Sequence, residues 1–235
     1  MQTNNSEPVW PRNAALAVIA ALAAFLVLRQ PAEAPQDTDM AVPAASAPAV
    51  RATPGTAADE RPMAPPAELF PARMANGTDG VFTRLGATVM ESCTARDSVG
   101  PSLAGRIRAS KGCVGEEIAL YKDAHGDRFN LAVFTMKDPR DTLRLVTWLM
   151  TNFGDYQVAA QTPPRGSGLP VLPADSGMVQ SFAGVGRVMI VGLAQWSDGR
   201  VRDYQELTDR LQPLVQGAAR NIARYETAAP VTPHV

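Results

Sequence analysis

Residues 117–136 read EIALYKDAHGDRFNLAVFTM: an apolar run, a polar break at Asp123-Ala124-His125-Gly126-Asp127, and a longer apolar run. Two stretches rich in Ile, Leu, Tyr, Phe and Val on either side of a Gly-containing polar turn predict a β-hairpin, with strands over 117–122 and 128–136. A second hairpin is predicted further on, from residues 178–183 and 187–195 about Gly184-Val185-Gly186. Between the hairpins, Asp138-Pro139 opens a helix in which Leu143, Val146, Leu149 and Met150 recur at helical spacing as far as Phe153. Residues 156–161 then read as one more strand.

The flanks of this region supply helices. Towards the C-terminus, residues 203–225 carry Leu207, Leu211, Leu214, Ala218 and Ile222 on one face, with Pro213 as a bend point. Towards the N-terminus, Thr78 or Asp79 caps a predicted helix that bears Val81, Phe82, Leu85 and Val89 and ends near Cys93. Pro101 opens a second short helix with Leu103 and Ile107, stopped by Gly112. Strand pairs separated by helices give an α+β fold: an antiparallel sheet of about five strands with helices packed on one face, in a ferredoxin-like or related split arrangement. Residues 77–226 hold this domain, a length that suits one hydrophobic core, and 227–235 form a tail.

Cys93 and Cys113 are the only cysteines, twenty positions apart. An even pair in a domain beyond a membrane segment predicts a disulfide, here one that ties the end of the first helix to the end of the second. A disulfide persists in an oxidising compartment, which puts the domain outside the cytoplasm; the alternative is two separate buried thiols inside it. Metal binding is not expected, because there is no Cys-x-x-Cys and His125 is the only histidine in the domain.

The N-terminal third gives the address. Residues 14–28 (AALAVIAALAAFLVL) carry no charge and are closed by Arg29. At 1.5 Å per residue the run spans about 22 Å, short of the roughly 30 Å of a bilayer core. Two readings follow: a signal peptide cut after Ala32-Glu33-Ala34, or an uncleaved anchor over 14–29 behind a short cytoplasmic segment at 1–13. The anchor is favoured, since Pro35 would follow the scissile bond and Arg29 sits where a signal peptide is uncharged. The Ala/Pro-rich stretch at 30–76 reads as a disordered linker with a reach of roughly 40 Å. Asn76-Gly77-Thr78 matches a glycosylation acceptor but reads better as a loop.

Little in the domain points to catalysis. Between Asn76 and Tyr225 there are 17 Lys plus Arg against 15 Asp plus Glu, interspersed, which argues against a nucleic-acid partner, since that needs a basic face. Ser176 lacks the Gly-x-Ser-x-Gly elbow, no Ser-x-x-Lys occurs, and Gly184-Val185-Gly186 joins two strands instead of opening a helix. Glu116, Glu117, Asp123 and Asp127 offer carboxylates, most simply as solvated turn residues. No cofactor is implied.

Residues 162–176 (TPPRGSGLPVLPADS) are too dense in Pro and Gly for regular structure, and a loop of this length is often functional. Its Arg165, Leu169 and Asp175, with Trp196 in the turn that follows the second hairpin and Tyr204 at the start of the last helix, are the candidate partner-binding residues. An exposed Trp196 ring would anchor a peptide or glycan; the alternative is ordinary packing against the last helix.

The stretches GLPVLPADSG (168–177) and GLAQWSDG (192–199) resemble uncharacterised single-pass membrane-anchored envelope proteins of high-GC Gram-positive bacteria. The resemblance covers the domain and implies no activity and no site residues. The expectation is a membrane-tethered extracytoplasmic domain of the cell envelope that binds an envelope protein or cell-wall ligand, or modulates a neighbour, without catalysis. The alternatives are an envelope enzyme acting through Asp123, Asp127 or Asp175, and a structural or assembly domain.

Overall fold

The predicted first hairpin is the spine of the domain. In the computed structural model, which describes residues 62–75, 80–152, 155–173 and 175–227, β3 (Cys113–Lys122) pairs antiparallel with β4 (Arg128–Met136), from Lys122↔Arg128 outward. The turn is held by Asp123, whose Oδ1 accepts the backbone N–H groups of His125 (2.8 Å) and Asp127 (3.1 Å), and Gly126 takes the positive φ of 85° that closes it. The second hairpin, β5 (Met178–Val185) with β6 (Val188–Gln195), joins the first through β6, which lies against β4.

Strands β4 and β6 are buried along their whole length. Their side chains alternate between two cores. On one side Phe129, Leu131, Val133, Ile190 and Ala194 meet α4 (Tyr204–Thr227) through Leu207, Leu211, Leu214, Ala218 and Ile222. On the other, Ala132, Phe134, Met189, Val191 and Leu193 meet Leu103 and Ile107 of α2 (Pro101–Arg108) and Leu145 and Leu149 of α3 (Pro139–Leu149). The helices therefore cover both faces of the sheet, not the single face expected. Strands that are apolar at every position require cover on both sides, and NLAVFTM and VMIVGLA are such runs. Helix α4 sits closest at Gly192, where a Cβ would lie 2.6 Å from Val215 Cγ2.

The sheet has six antiparallel strands in the order β1-β2-β3-β4-β6-β5. β4, α3 and β5 make one split unit with β6 inserted between the two strands, while β1 to β4 follow one another as a meander. A ferredoxin-like sheet needs two split units, so that arrangement is not formed.

Four local expectations are corrected. The segment predicted as a helix ending near Cys93 is β2 (Val81–Val89), paired with β3; Val81, Thr83, Thr88 and Val89 are β-branched, and the edge of β3 is open to a partner. Phe82 reaches the core there, edge-on to Phe129 at 4.9 Å between ring centroids. Residues 156–161 form only the isolated bridge Val99↔Val158. In α3 the inward residues are Thr142, Leu145 and Leu149, whereas Leu143 is 69 % exposed and Met150 58 %. The disulfide Cys93–Cys113 is present, at 2.01 Å between sulfurs, but joins the loop after β2 to the first residue of β3.

The domain also begins before residue 77. α1 (Pro66–Leu69) and β1 (Arg73–Ala75) bury Leu69, Phe70 and Met74, and β1 adds to the edge of β2. Tyr121 donates its hydroxyl to Pro71 O at 2.9 Å, and Arg84 bonds to Phe70 O. Three apolar residues suffice because the sheet edge and α4 already offer the surface. The anchor at 14–29, the linker up to residue 61, the sequon and the tail from 228 lie outside the described residues. No described helix is long and apolar enough to cross a membrane.

Phe70→Ala is expected to lower the unfolding free energy by about 3 to 5 kcal/mol in urea denaturation, and a fragment that begins at Gly77 to melt well below one that begins at Pro62. Equal melting of the two fragments would place the boundary back at residue 77. Reduction of Cys93–Cys113 is expected to cost about 3 kcal/mol on the chain-entropy account, read from the same denaturation with and without a thiol.

Candidate functional site

The Pro/Gly-rich loop between Gln161 and Gly177 is held from beneath through its backbone. Gln161 donates its N–H to Asn130 Oδ1 at 2.8 Å, the Arg128 guanidinium reaches Pro170 O at 3.4 Å, and Gln195 Nε2 donates to Pro173 O at 3.0 Å. Gly177 donates to Arg200 O at 2.9 Å, and a Cβ on Gly177 would lie 2.5 Å from that oxygen, so only glycine allows the approach. Prolines suit such a segment because they bring no N–H to satisfy.

With its backbone fixed downward, the loop presents side chains outward. Arg165 and Asp175 are exposed, Leu169 is half-buried, and Val171 is 69 % exposed. The neighbouring turn adds Val201, 61 % exposed, and the half-buried Tyr204, which lies against Gly177. Asp203 in this turn holds a left-handed φ of 58°, which Asp tolerates better than most residues. Asp175, Val201 and Tyr204 thus gather about Gly177, while Arg165 and Leu169 lie further along the loop.

Trp196 does not belong to this surface. It extends the Ile190, Gly192, Ala194 alternation of β6 toward α4, is fully buried, and donates its indole N–H to Arg202 O at 2.9 Å. The Arg200 guanidinium covers its ring 3.6 Å from the centroid, and Arg210 lies 5.4 Å away. Of the two readings of Trp196, packing against the last helix is the one formed, because the strand's inward register runs one residue past its end, and Trp196 is therefore not a partner-binding residue.

The hairpin carboxylates are not solvated turn residues. Asp123 and Asp127 are buried, and Arg210 of α4 bridges them at 3.1 Å and 2.5 Å. Asp127 also accepts the N–H of Ser197 at 2.8 Å, which ties the first hairpin to the end of β6. Both are thereby occupied in structure, leaving Asp175 as the one of the three candidate catalytic carboxylates in solvent. His125 is exposed at the hairpin turn.

Glu116 and Glu117 are buried on opposite faces of β3. Glu116 accepts a hydrogen bond from Ser98 Oγ at 3.1 Å; its other oxygen, and both oxygens of Glu117, have no hydrogen-bond partner among the described residues. Burial pushes each up to about 7, the Ser98 bond opposing and the Asp97 charge adding to the effect at Glu116. Beside Ser98, a pocket lined by Asp97, Ile118, Asn130 and Gln161 encloses about 20 Å³, room for a single water and not for a ligand.

Comparison with family models, with characterised proteins and with solved structures yields no match. The residues that organise the site, Arg128, Arg200 and Arg210, were not singled out from the sequence. Arg210 had a signal: it falls between Leu207, Leu211 and Leu214, beside the apolar stripe of α4, where a cation must find a buried anion.

Arg210→Met leaves two buried carboxylates unpaired and is expected to cost about 3 to 5 kcal/mol; adding Asp123→Asn and Asp127→Asn should recover part of the loss, and additive effects in denaturation would refute the coupling. For Glu117 the folded state holds its proton up to about pH 7 against an ordinary value of 4.5, so its stabilising contribution is complete below pH 4.5 and disappears as pH rises through 7. Glu117→Gln is expected to stabilise the protein by roughly 2 to 3 kcal/mol at pH 8 and hardly at all at pH 4.5. Urea denaturation at the two pH values checks this, and an equal effect at both would contradict it.

Proposed function

We propose that the chain is a membrane-tethered, extracytoplasmic domain of the bacterial cell envelope that binds or modulates a protein or cell-wall partner and does not turn over a substrate. The observation that carries this reading is the loop surface: a long Pro/Gly segment with its backbone bound to Asn130, Arg128 and Gln195, and with Val171 and Val201 left in solvent. A rigid loop that exposes apolar side chains loses little entropy when a partner covers them. The disulfide supports the oxidising compartment. The chain enters the described domain at Pro62, beside Tyr225 near the end of α4. Tyr204 and the loop surface stand at the other end of that helix, about 30 Å away at 1.5 Å per residue. Pro62 and the loop surface therefore lie at opposite ends of α4.

The intact, non-reduced mass of protein from the membrane fraction of its own cells tests the address: a full-length chain lacking two hydrogens is expected, while a chain cut after Ala34, or one with free thiols, would overturn it. A photo-cross-linker at Val171 or Val201 is expected to capture an envelope component in those cells, and one at the remote Arg140 none. Equal capture at all three positions would remove the loop surface as the binding site.

A further inference from the structure

Away from the loop surface, β1 at the sheet edge lies beside the C-terminal half of α4, and an open groove of about 220 Å³ runs between them. Arg73 of β1 and Arg220, Asn221 and Arg224 of α4 wall it, over Met74 and Gly217. Residues 217, 220, 221 and 224 share one helix face by their spacing. Gly217 lets strand and helix close up, since a Cβ there would be 2.9 Å from Met74 Sδ.

No Asp or Glu lines this groove among the described residues, and Arg73, Arg220 and Arg224 form no ion pair with any of them. Elsewhere Arg144, Arg187, Arg200, Arg202 and Arg210 each meet a carboxylate, while Arg84, Arg96, Arg106, Arg108, Arg128, Arg140 and Arg165 pair with none among the described residues; the groove differs in bringing three such arginines around one space. One of the groove's cations is also held in place. Asn221 donates to Leu69 O at 3.0 Å, and its Oδ1 accepts from Arg224. Arg224 is fixed before any ligand arrives, so less freedom is lost on binding.

We propose that this groove is a binding site for a phosphate-class anion. Three guanidiniums around one space repel one another until a counter-charge enters. A tetrahedral oxyanion can present oxygens to several planar forks at once, where a single carboxylate fills one. The anion is either free or the phosphate of a lipid headgroup; the groove lies toward the end of α4 where the described chain begins at Pro62. The inference does not depend on the loop surface.

The test uses the full-length, detergent-solubilised chain. Inorganic phosphate is titrated by calorimetry against chloride at equal ionic strength, and the titration is repeated with short-chain, water-soluble phosphatidylglycerol and phosphatidylcholine. Saturable binding to phosphate, or to the phosphatidylglycerol and not the phosphatidylcholine, is expected, and which of the two occurs identifies the source. Arg220→Gln and Arg224→Gln are each expected to weaken it about tenfold, with unchanged melting temperature because both side chains are exposed. Arg140→Gln, the same change of charge on the remote helix α3, should leave affinity unaltered. No binding to either probe, or equal weakening by Arg140→Gln, would overturn the proposal.

Discussion

The register between β4 and β6 is the constraint on which the rest of the domain depends. Phe129 faces Ala194, Val133 faces Ile190 and Phe134 faces Met189, so the apolar positions of both strands fall into step on both sides of the sheet. A slip of one residue would turn every side chain to the opposite face, setting the Gly192 gap away from Val215 and carrying Trp196 out of its site under Arg200. The helices are consequences of this pairing. α4 takes one face because its stripe of Leu207, Leu211, Leu214, Ala218 and Ile222 is long enough to run the length of β6, and α2 and α3 divide the other.

What could be read from the sequence follows from how local each cause is. The hairpin turn at Asp123–Asp127 and the stripe of α4 are specified within a few residues of themselves, and both are where the residues place them. In β2, Val81, Phe82, Leu85 and Val89 fit a helical face as well as a strand; the deciding influence is the open edge of β3, far away in sequence and invisible to local pattern. β1 is three residues long and exists only through β2 and α4. In α3, Leu143 and Met150 have the helical spacing of an inward stripe, yet Thr142 and Leu145 are the residues that meet the sheet. The two-sided cover was legible in the unbroken apolar runs of β4 and β6, had their lack of alternation been weighed.

The candidate site divides along the same line. The Pro/Gly loop was recognisable from composition, since no regular element tolerates that density of proline. Its supports were not, because Arg128, Gln195 and Asn130 act through loop carbonyls or N–H groups far away in sequence. Trp196 shows the same limit in reverse: a ring in an apparent turn, GLAQWSDG, is interior because the strand's alternation continues beneath the turn.

Polar groups in the interior fall into two kinds, and the difference bears on what the fold tolerates. Asp123 and Asp127 are buried with Arg210 between them, and these contacts fasten the hairpin, the end of β6 and α4 to one another. Glu116 and Glu117 are buried with almost nothing to accept from, so they favour their protonated forms and oppose the fold as pH rises. The first group holds the end of the domain that carries the loop surface. The second lies in the middle of the sheet, on β3 between β2 and β4. Glu117 faces the α4 side of the sheet, whereas Glu116 is linked through Ser98 to the pocket that Asn130 and Gln161 share, so its ionisation as pH rises would be felt at the first anchor of the loop.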